Sequence, residues 1–592
     1  MRVDIKTDTD GFSEWLSATK GPIAVDTETT GLDIFSPNYQ VRLIQFGDRD
    51  TAYVLDPRKH RKEIDSVWAS KHKFILHNAP FDLLSMDRAG IVTLEKLEGR
   101  VFDTKIMAHL LDPRSKSEGG TGHSLKDLAL VWVDSTAQDG QKELNEVFKF
   151  NGWKQAEGWA RIDIDNPVYT HYAGMDVILT RRLFDELKEL ILGSGLQHLL
   201  KFELHLMQLL CVLQRRGMLL DVPYVQKLHG QLQMEASEFA VIAEGYGVEK
   251  IGSPKQVADA LEAMGETFTE LTASGSTKVD RAVLLPLADL DSQWNRLGVR
   301  EPNPLAVAIL RAKRADKWSV AYTGAFLALK DSGDRLHPWI NGLQARTARM
   351  SVSRPPLQQL PSGDATIRKC FIADPGKVMI AADYSQIEMR VLAALSGDKN
   401  MTEAIMAGGD LHDYTADKLF GPDFTKFQRK LAKGVGFGKV YGGGAATLTR
   451  QTGAKLVDVQ RAIHAFDETF TGIKKYSRVL QENAQYGARE VITPTGRHLP
   501  LDRERLYAAT NYMVQSTARD IMAQAIVDLF EAGLGEYLLL PIHDEILAQA
   551  PVREAEEIIA KISKVMQGKG FQGLPLNTDG EVIGSSWGDA YK

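Results

Sequence analysis

The sequence predicts a multidomain protein: an N-terminal α/β domain, a mainly helical segment, and an α+β domain that carries a helical insertion. At 592 residues the chain exceeds what one hydrophobic core organises, since domains cluster near about 150 residues. Over residues 1–190, short apolar β-type runs (PIAVD, RLIQFG, KFILHN) alternate with helical stretches, the pattern of layered strands and helices. Residues 191–335 change character. Runs such as LLKFELHLMQLLCVLQRRG and LAVAILRAKRADKWSVAYTGAFLALK space their apolar residues for a helix and offer few strand signals. From 336 onward, strand-like runs (KVMIAADYS, YLLLPIHDEILAQAPV) stand between long helical stretches, as in an α+β domain.

Composition narrows the class. With 44% hydrophobic and 25% charged residues the chain reads as ordinary globular protein, not as a disordered or fibrous one. Cys211 and Cys370 are the sole cysteines and lack metal-type spacing, so a reducing, cytoplasmic compartment is expected. No uninterrupted apolar stretch reaches transmembrane length, so no membrane association is expected. The net charge of −6 argues weakly against nucleic acid, whose phosphates need Lys and Arg. Yet basic residues cluster at Arg311–Lys317, Arg346–Arg354 and Lys426–Lys439; such clusters are more often a solvated face than a phosphate contact, and the charge alone does not decide.

Carboxylates stand out in the first domain. In PIAVDTETTGL an apolar strand runs into Asp26 and Glu28, and the strand period of two puts both on one face. HNAPFDLLSM supplies Asp82 near a helix start, with Asn78 one helical turn before it. HYAGMDVILTRRLF places Tyr172 and Asp176 four residues apart, on one helix face. Taken singly, such residues are turns, caps or half-exposed faces. Their order resembles the ribonuclease H-like DEDD exonuclease domain of family A DNA polymerases. On that resemblance Asp26, Glu28, Asp82 and Asp176 hold two divalent metals and Tyr172 orients the attacking water. Phosphodiester hydrolysis needs an activated water and a stabilised leaving oxygen, which two metals about 4 Å apart supply.

A second set lies in the last third. A strand ends at Asp383 and leads into a helical stretch from Gln386 to Leu395, while His543, Asp544 and Glu545 sit at an expected hairpin tip. In FQRKLAKGVGFGKVYGGG, Arg429, Lys433, Phe437 and Tyr441 recur every four residues, so two cations precede two aromatics along one helical stripe. Cations in that row suit a triphosphate, and a ring suits its sugar or base.

These segments resemble the large, Klenow-type fragment of family A DNA polymerases, of bacterial or phage type, acting in a bacterial or phage-infected host cytoplasm. ADYSQIEMR, the Arg429–Gly442 segment, IHDE, RTARMSVSRPPLQQLP, DLHDYTADKLFG and NYMVQSTARDIM all stand in family order. The resemblance implies a right-hand polymerase domain, with residues 1–190 as exonuclease and 191–335 as thumb. Residues 336–400 and 481–592 would form the palm around fingers at 401–480. It implies Asp383, Asp544 and the Tyr384 carbonyl as metal ligands, and Arg429, Lys433, Phe437, Tyr441, Tyr384, Gln386, Glu388 and His543 at the nucleotide. Lys433 would protonate the leaving group and Glu388 would crowd the 2′ position of the sugar. Arg349, Asn511 and Gln515 would contact DNA. Mg²⁺ is the implied cofactor, two ions at each site, with Mn²⁺ as substitute. Primer–template DNA, dNTPs and single-stranded 3′ ends are the implied partners of a monomer, with replisome proteins beyond them. Gly434, Gly436 and Gly438 are expected to soften the fingers helix, since mid-helix glycine costs about 1 kcal/mol relative to Ala. A nuclease with a decayed C-terminal half would have lost Asp383, Asp544 or Lys433, and all are present; a non-catalytic replication scaffold would need six carboxylates in family order to be incidental.

Overall fold

The computed structural model describes residues 3–591 except 136–139, 269, 273–274, 292, 362 and 441–442; the side chains of Phe437, Lys439, Val440, Gln451 and Tyr591 are likewise outside the description. The chain forms two compact units. One comprises residues 1–216, 340–351 and 380–582, the other 217–339, 352–379 and 583–592.

The first unit opens with a six-stranded sheet in the order Asp4–Lys6, Thr51–Leu55, Val41–Gly47, Ile23–Thr29, Phe74–Leu76, Val101–Asp103. Ile23–Thr29 lies inside it, antiparallel to Val41–Gly47 and parallel to Phe74–Leu76. A strand covered on both faces needs a continuous apolar run rather than alternation, which is why IAV precedes the carboxylates. The 27-residue helix Pro167–Gly193 packs on this sheet, started by Asn166, whose side chain accepts from the Val168 and Tyr169 N–H groups. Gly47 permits the close approach: a Cβ there would stand 2.7 Å from Val177 Cγ2.

Later in the same unit, with residues 380–384 and 578–582 of the last two strands, four strands pair in the order Leu538–Ile542, Glu545–Pro551, Lys377–Tyr384, Thr578–Gly584. Ile542 pairs with Glu545, so His543 and Asp544 make a two-residue hairpin connection, and His543 takes φ 56°, the left-handed conformation such tight turns demand. The helix Ala509–Glu531 buries most of its length. The helices Leu411–Phe420, Lys426–Val440, Ala445–Thr452 and Leu456–Thr469 pack together. Here the glycines have a packing reason. A Cβ at Gly434 would lie 2.7 Å from Thr452 Cγ2, and one at Gly438 would run into the Leu448 side chain, so the two glycines, one turn apart, let the helices meet.

A buried charge quartet ties the helix Gln197–Arg216 to the helix Ala509–Glu531. Arg497 Nη2 donates to Glu203 Oε1 at 2.6 Å and Asp520 Oδ1 at 2.9 Å, and Arg519 Nη2 donates to Glu203 Oε2 at 2.8 Å. Arg519 also reaches the Gly342 carbonyl at 2.8 Å. None of these four side chains is more than 6% exposed.

The second unit is mostly helical; it begins at Gly217, so residues 191–216 with the helix Gln197–Arg216 belong to the first unit. Val222–Gly245 and Pro304–Trp318 pack along each other, joined by Pro254–Ala263 and Arg281–Leu287 around Leu261, Leu284, Leu305 and Ile309. Asp221, Ser253, Asp280 and Asn303 cap these helices with their side chains. A short sheet of Phe371–Ile372, Met218–Leu220 and Arg335–Leu336 accompanies them. Among the described residues, no helix is long and apolar enough to cross a membrane.

Candidate active sites

The central strand of the N-terminal sheet delivers Asp26 and Glu28, and the long helix delivers Asp176; carboxylate oxygens of these residues lie within 4.8 Å of one another. Asp82 stands outside that tight group. It is the third residue of the helix Pro80–Arg88, 2% exposed, and its Oδ1 accepts from Thr27 N at 3.0 Å and Thr27 Oγ1 at 2.6 Å. Crowding raises the proton affinity of the cluster. Burial lifts Asp26 to about 7. Glu28 is pushed well above the carboxylate range, first by burial and then by the charges of Asp26, Asp176 and Asp82. Asp82 is raised by burial and Asp26. Tyr172 bonds to Asp176, and burial with the surrounding carboxylates keeps its hydroxyl protonated.

Asn78 corrects the expected position. It lies outside the helix rather than one turn before Asp82 within it, at φ 65°. Asp103 holds it there, accepting from Asn78 N at 3.1 Å and Ala79 N at 2.8 Å, while Lys105 Nζ donates to Asn78 Oδ1 at 3.0 Å.

In the second region, Asp383 is the exposed penultimate residue of the strand Lys377–Tyr384, which runs one residue further than expected, and Asp544 sits in the neighbouring hairpin; Tyr384 N donates to the Asp544 carbonyl at 3.1 Å, locking the two strand ends in register. The surrounding protein, then the charges of Asp544, Glu545 and Asp579, raise Asp383 to about 7. Asp544 is raised by burial, with His543 and Arg349 opposing. The Tyr384 hydroxyl donates to the Met566 carbonyl at 2.6 Å, and Ser385 Oγ donates to Asp579 Oδ2 at 2.6 Å. Gln386 is not the first helical residue; it takes φ 56° just before Ile387–Ser396. Non-glycine residues in this region are held by their surroundings and concentrate at functional sites, and Gln386 and His543 flank the two aspartates.

Glu388, nearly buried, forms an ion pair with Arg349. Arg429 pairs with Asp410 at 3.0 Å and with Asp413. Lys433 lies one turn further on an exposed face, and its charge, after burial, helps lower His412 to about 4. Gln515 Oε1 accepts from Thr347 Oγ1 at 3.4 Å. The Asn511 Oδ1 atom is buried without a hydrogen-bond partner. Phe437's side chain and Tyr441 lie outside the described residues.

Sequence reasoning missed Thr27, Asp103, Asp410, Asp413 and Asp579 as neighbours of these centres. Asp410 and Asp413 sit in the quoted DLHDYTADKLFG segment, where acids preceding a basic helix were an available signal. Asp579 had none, because its relevance depends on strand pairing.

Comparison with known proteins supplies the context. The family described as DNA polymerase family A matches residues 223–589, and that described as 3′-5′ exonuclease matches residues 3–192. The DNA polymerase of Mycobacterium phage D29 is 39% identical over 597 residues, spanning 100% of this chain and 96% of the relative. DNA polymerase I of Chloroflexus aurantiacus is 31% identical, spanning 86% of this chain and 54% of the relative. A solved structure, the POL domain of Pol1 from M. smegmatis in complex with DNA primer-template and dNTP, superposes with a TM-score of 0.78 at 21% identity, covering 100% of each chain. With two carboxylate centres in the matched regions and relatives spanning its length, the chain belongs to DNA polymerase family A and carries a 3′-5′ exonuclease domain ahead of its polymerase domain.

Proposed function

We propose that this polymerase extends a DNA primer on a template at the Asp383–Asp544 centre and removes 3′-terminal nucleotides at the Asp26–Glu28–Asp82–Asp176 centre, in DNA replication or repair. The observation that carries the reading is the pairing of two separate carboxylate centres, Asp26, Glu28 and Asp176 with oxygens within 4.8 Å of one another in one, and Asp383 raised by the charges of Asp544, Glu545 and Asp579 in the other. An all-oxygen donor set suits a hard divalent cation, and Mg²⁺ or Mn²⁺ fits both centres. Asp383, Asp544 and the Tyr384 carbonyl would hold it in one, and the four N-terminal carboxylates in the other. When bound, such ions make the attacking oxygen nucleophilic and stabilise the leaving oxygen of an in-line displacement.

The chain's own groups do the rest. Arg429, released from Asp410 and Asp413, grips the triphosphate. Lys433 gives a proton to the departing pyrophosphate. Glu388 crowds the 2′ position of the incoming sugar, and Arg349, Asn511, Gln515 and His543 face the primer–template and nascent pair. Tyr172 positions the water that attacks the scissile phosphate in the exonuclease domain. In this reading 191–335 is the thumb, 336–400 and 481–592 the palm and 401–480 the fingers. The DNA primer-template and dNTP held by the M. smegmatis neighbour support the choice of partners.

A labelled hairpin primer tests it. Mg²⁺ with dNTPs should give extension, Mg²⁺ without dNTPs should give shortening, and a chelator should stop both. Shortening that continues in the chelator would remove the metal from the reading.

A further inference from the structure

Five consecutive residues, Ala345 to Arg349, connect the exonuclease domain with groups assigned to nucleotide selection. At one end His109 Nε2, from the exonuclease domain, bonds the Ala345 carbonyl at 3.2 Å. Arg346, with a side chain 6% exposed, pairs through Nη2 with Glu118 Oε1 of the exonuclease domain at 3.2 Å and through Nη1 with Asp502 Oδ1 at 2.9 Å. Its guanidinium lies 5.7 Å from the Tyr512 ring centre. Thr347 donates to Gln515, and Arg349 pairs with Glu388. Between them Ala348 sits at φ 61°, with its N–H donating to the Ala345 carbonyl at 2.8 Å. A residue bearing a Cβ stays in that conformation only while its surroundings hold it. The two ends of the turn are therefore mechanically joined: a shift at Arg346 reaches Arg349 through a turn that has little other conformation available.

We propose that Arg346 is a positioning residue for polymerisation, through which Glu118 of the exonuclease domain sets the placement of Arg349 and Glu388 and hence the selection of deoxy- over ribonucleotides. A guanidinium is the group that can do this, since its planar fork serves acids on two different elements at once, and an ammonium does not. The proposal rests on the assignment of Glu388 to the sugar of the incoming nucleotide.

The test uses the full chain with Asp26→Ala and Glu28→Ala, so that excision does not obscure incorporation. Glu118→Gln and Arg346→Lys are compared with this parent in single-nucleotide incorporation, recording KM and kcat for a dNTP and for the matching rNTP. Coupling through packed networks of this kind changes equilibria by about twofold to about thirtyfold. Each variant should raise the KM for dNTP and lower deoxy-over-ribo preference within that range, with a smaller change in kcat. Arg346 is buried, so Arg346→Lys alone leaves room for a general loss of stability. Glu118→Gln leaves Arg346 its Asp502 partner and places no new charge in the interior, so it carries the decision. Unchanged KM and unchanged preference in Glu118→Gln, whatever its melting temperature, would overturn the proposal. Glu388→Gln run beside it separates the two readings: no effect there, with an altered preference in Glu118→Gln, would keep the coupling and discard the sugar assignment of Glu388.

Discussion

The two centres gather the same kind of side chain and embed it differently. In the exonuclease domain the carboxylates come from an interior strand and two helices, and Glu28 and Asp82 are 6% and 2% exposed. In the polymerase domain Asp383 and Asp544 stand at neighbouring strand ends on an open rim, and a separate helix presents Arg429 and Lys433 on its outer side. The first arrangement packs carboxylates against one another, Glu28 buried and Asp26 and Asp176 partly so, and their charges raise the proton affinity of Glu28 with Arg42 opposing. The second leaves Asp383 open to solvent screening, with Arg429 and Lys433 on a separate helix. On the proposed assignments, a site for one phosphodiester can be deep, whereas a site for a duplex and a triphosphate has to be open.

Separation of the two activities is the largest expected effect and the first way to break this comparison. Removing a residue that holds a metal costs several kcal/mol of transition-state stabilisation, or about a thousandfold in rate. Asp544→Ala should lower primer extension by at least about that factor while single-strand degradation stays within about twofold; Asp26→Ala with Glu28→Ala should do the reverse. Concerted loss of both activities in either variant would mean that the centres do not act independently.

The cations on the helix Lys426–Val440 give an intermediate effect. The Arg429 pairs with Asp410 and Asp413 are partly exposed and worth little on their own, so an incoming triphosphate can displace them. A hydrogen bond to a charged partner is worth about 1.5–3 kcal/mol, so Arg429→Ala should raise the KM for dNTP by about tenfold to a hundredfold. Excision measured in the same preparation should not change. A KM that stays put would return Arg429 to a purely structural pairing.

The smallest effect sharpens the contrast in burial. Without divalent ions the Asp26 carboxyl keeps its proton up to about pH 7, against an ordinary value of 3.8. Between those values the folded protein binds more protons than the unfolded chain, so stability falls as pH rises through the window and stays low above it. Asp26→Asn removes the penalty. In a chelator it should melt about 2 °C or more above the parent at pH 8, with the gap closing toward pH 4. Asp383 is also raised to about 7, but solvent screening at its rim should make the gain for Asp383→Asn smaller. A larger gain at Asp383 would reverse the assignment of deep and open sites.

Sequence pattern revealed what depends on periodicity. The strand carrying Asp26 and Glu28, the helix face shared by Tyr172 and Asp176, and the basic stripe on Lys426–Val440 are all local repeats, and each is a regular element here. What pattern could not reveal is set by partners distant in the chain. Asn78 leaves the helix because Asp103 and Lys105 hold it. Gly434 and Gly438 look like weaknesses until Thr452 and Leu448 are seen against them. The net charge pointed away from nucleic acid because it sums over a surface whose basic residues act locally.

The buried quartet of Glu203, Arg497, Arg519 and Asp520 bears on how this chain can vary over generations. Two acids and two bases sum to zero, and losing one member leaves an uncompensated charge in the interior, at about 3–5 kcal/mol, a sizeable part of a domain's total stability. Most single-step substitutions at these four positions are therefore closed to a lineage, whereas an acid and a base exchanged together for neutral, well-packed residues cost far less. The four positions should drift as a unit, tying the history of a helix next to the exonuclease domain to that of a helix in the polymerase domain, although neither touches the chemistry of the other.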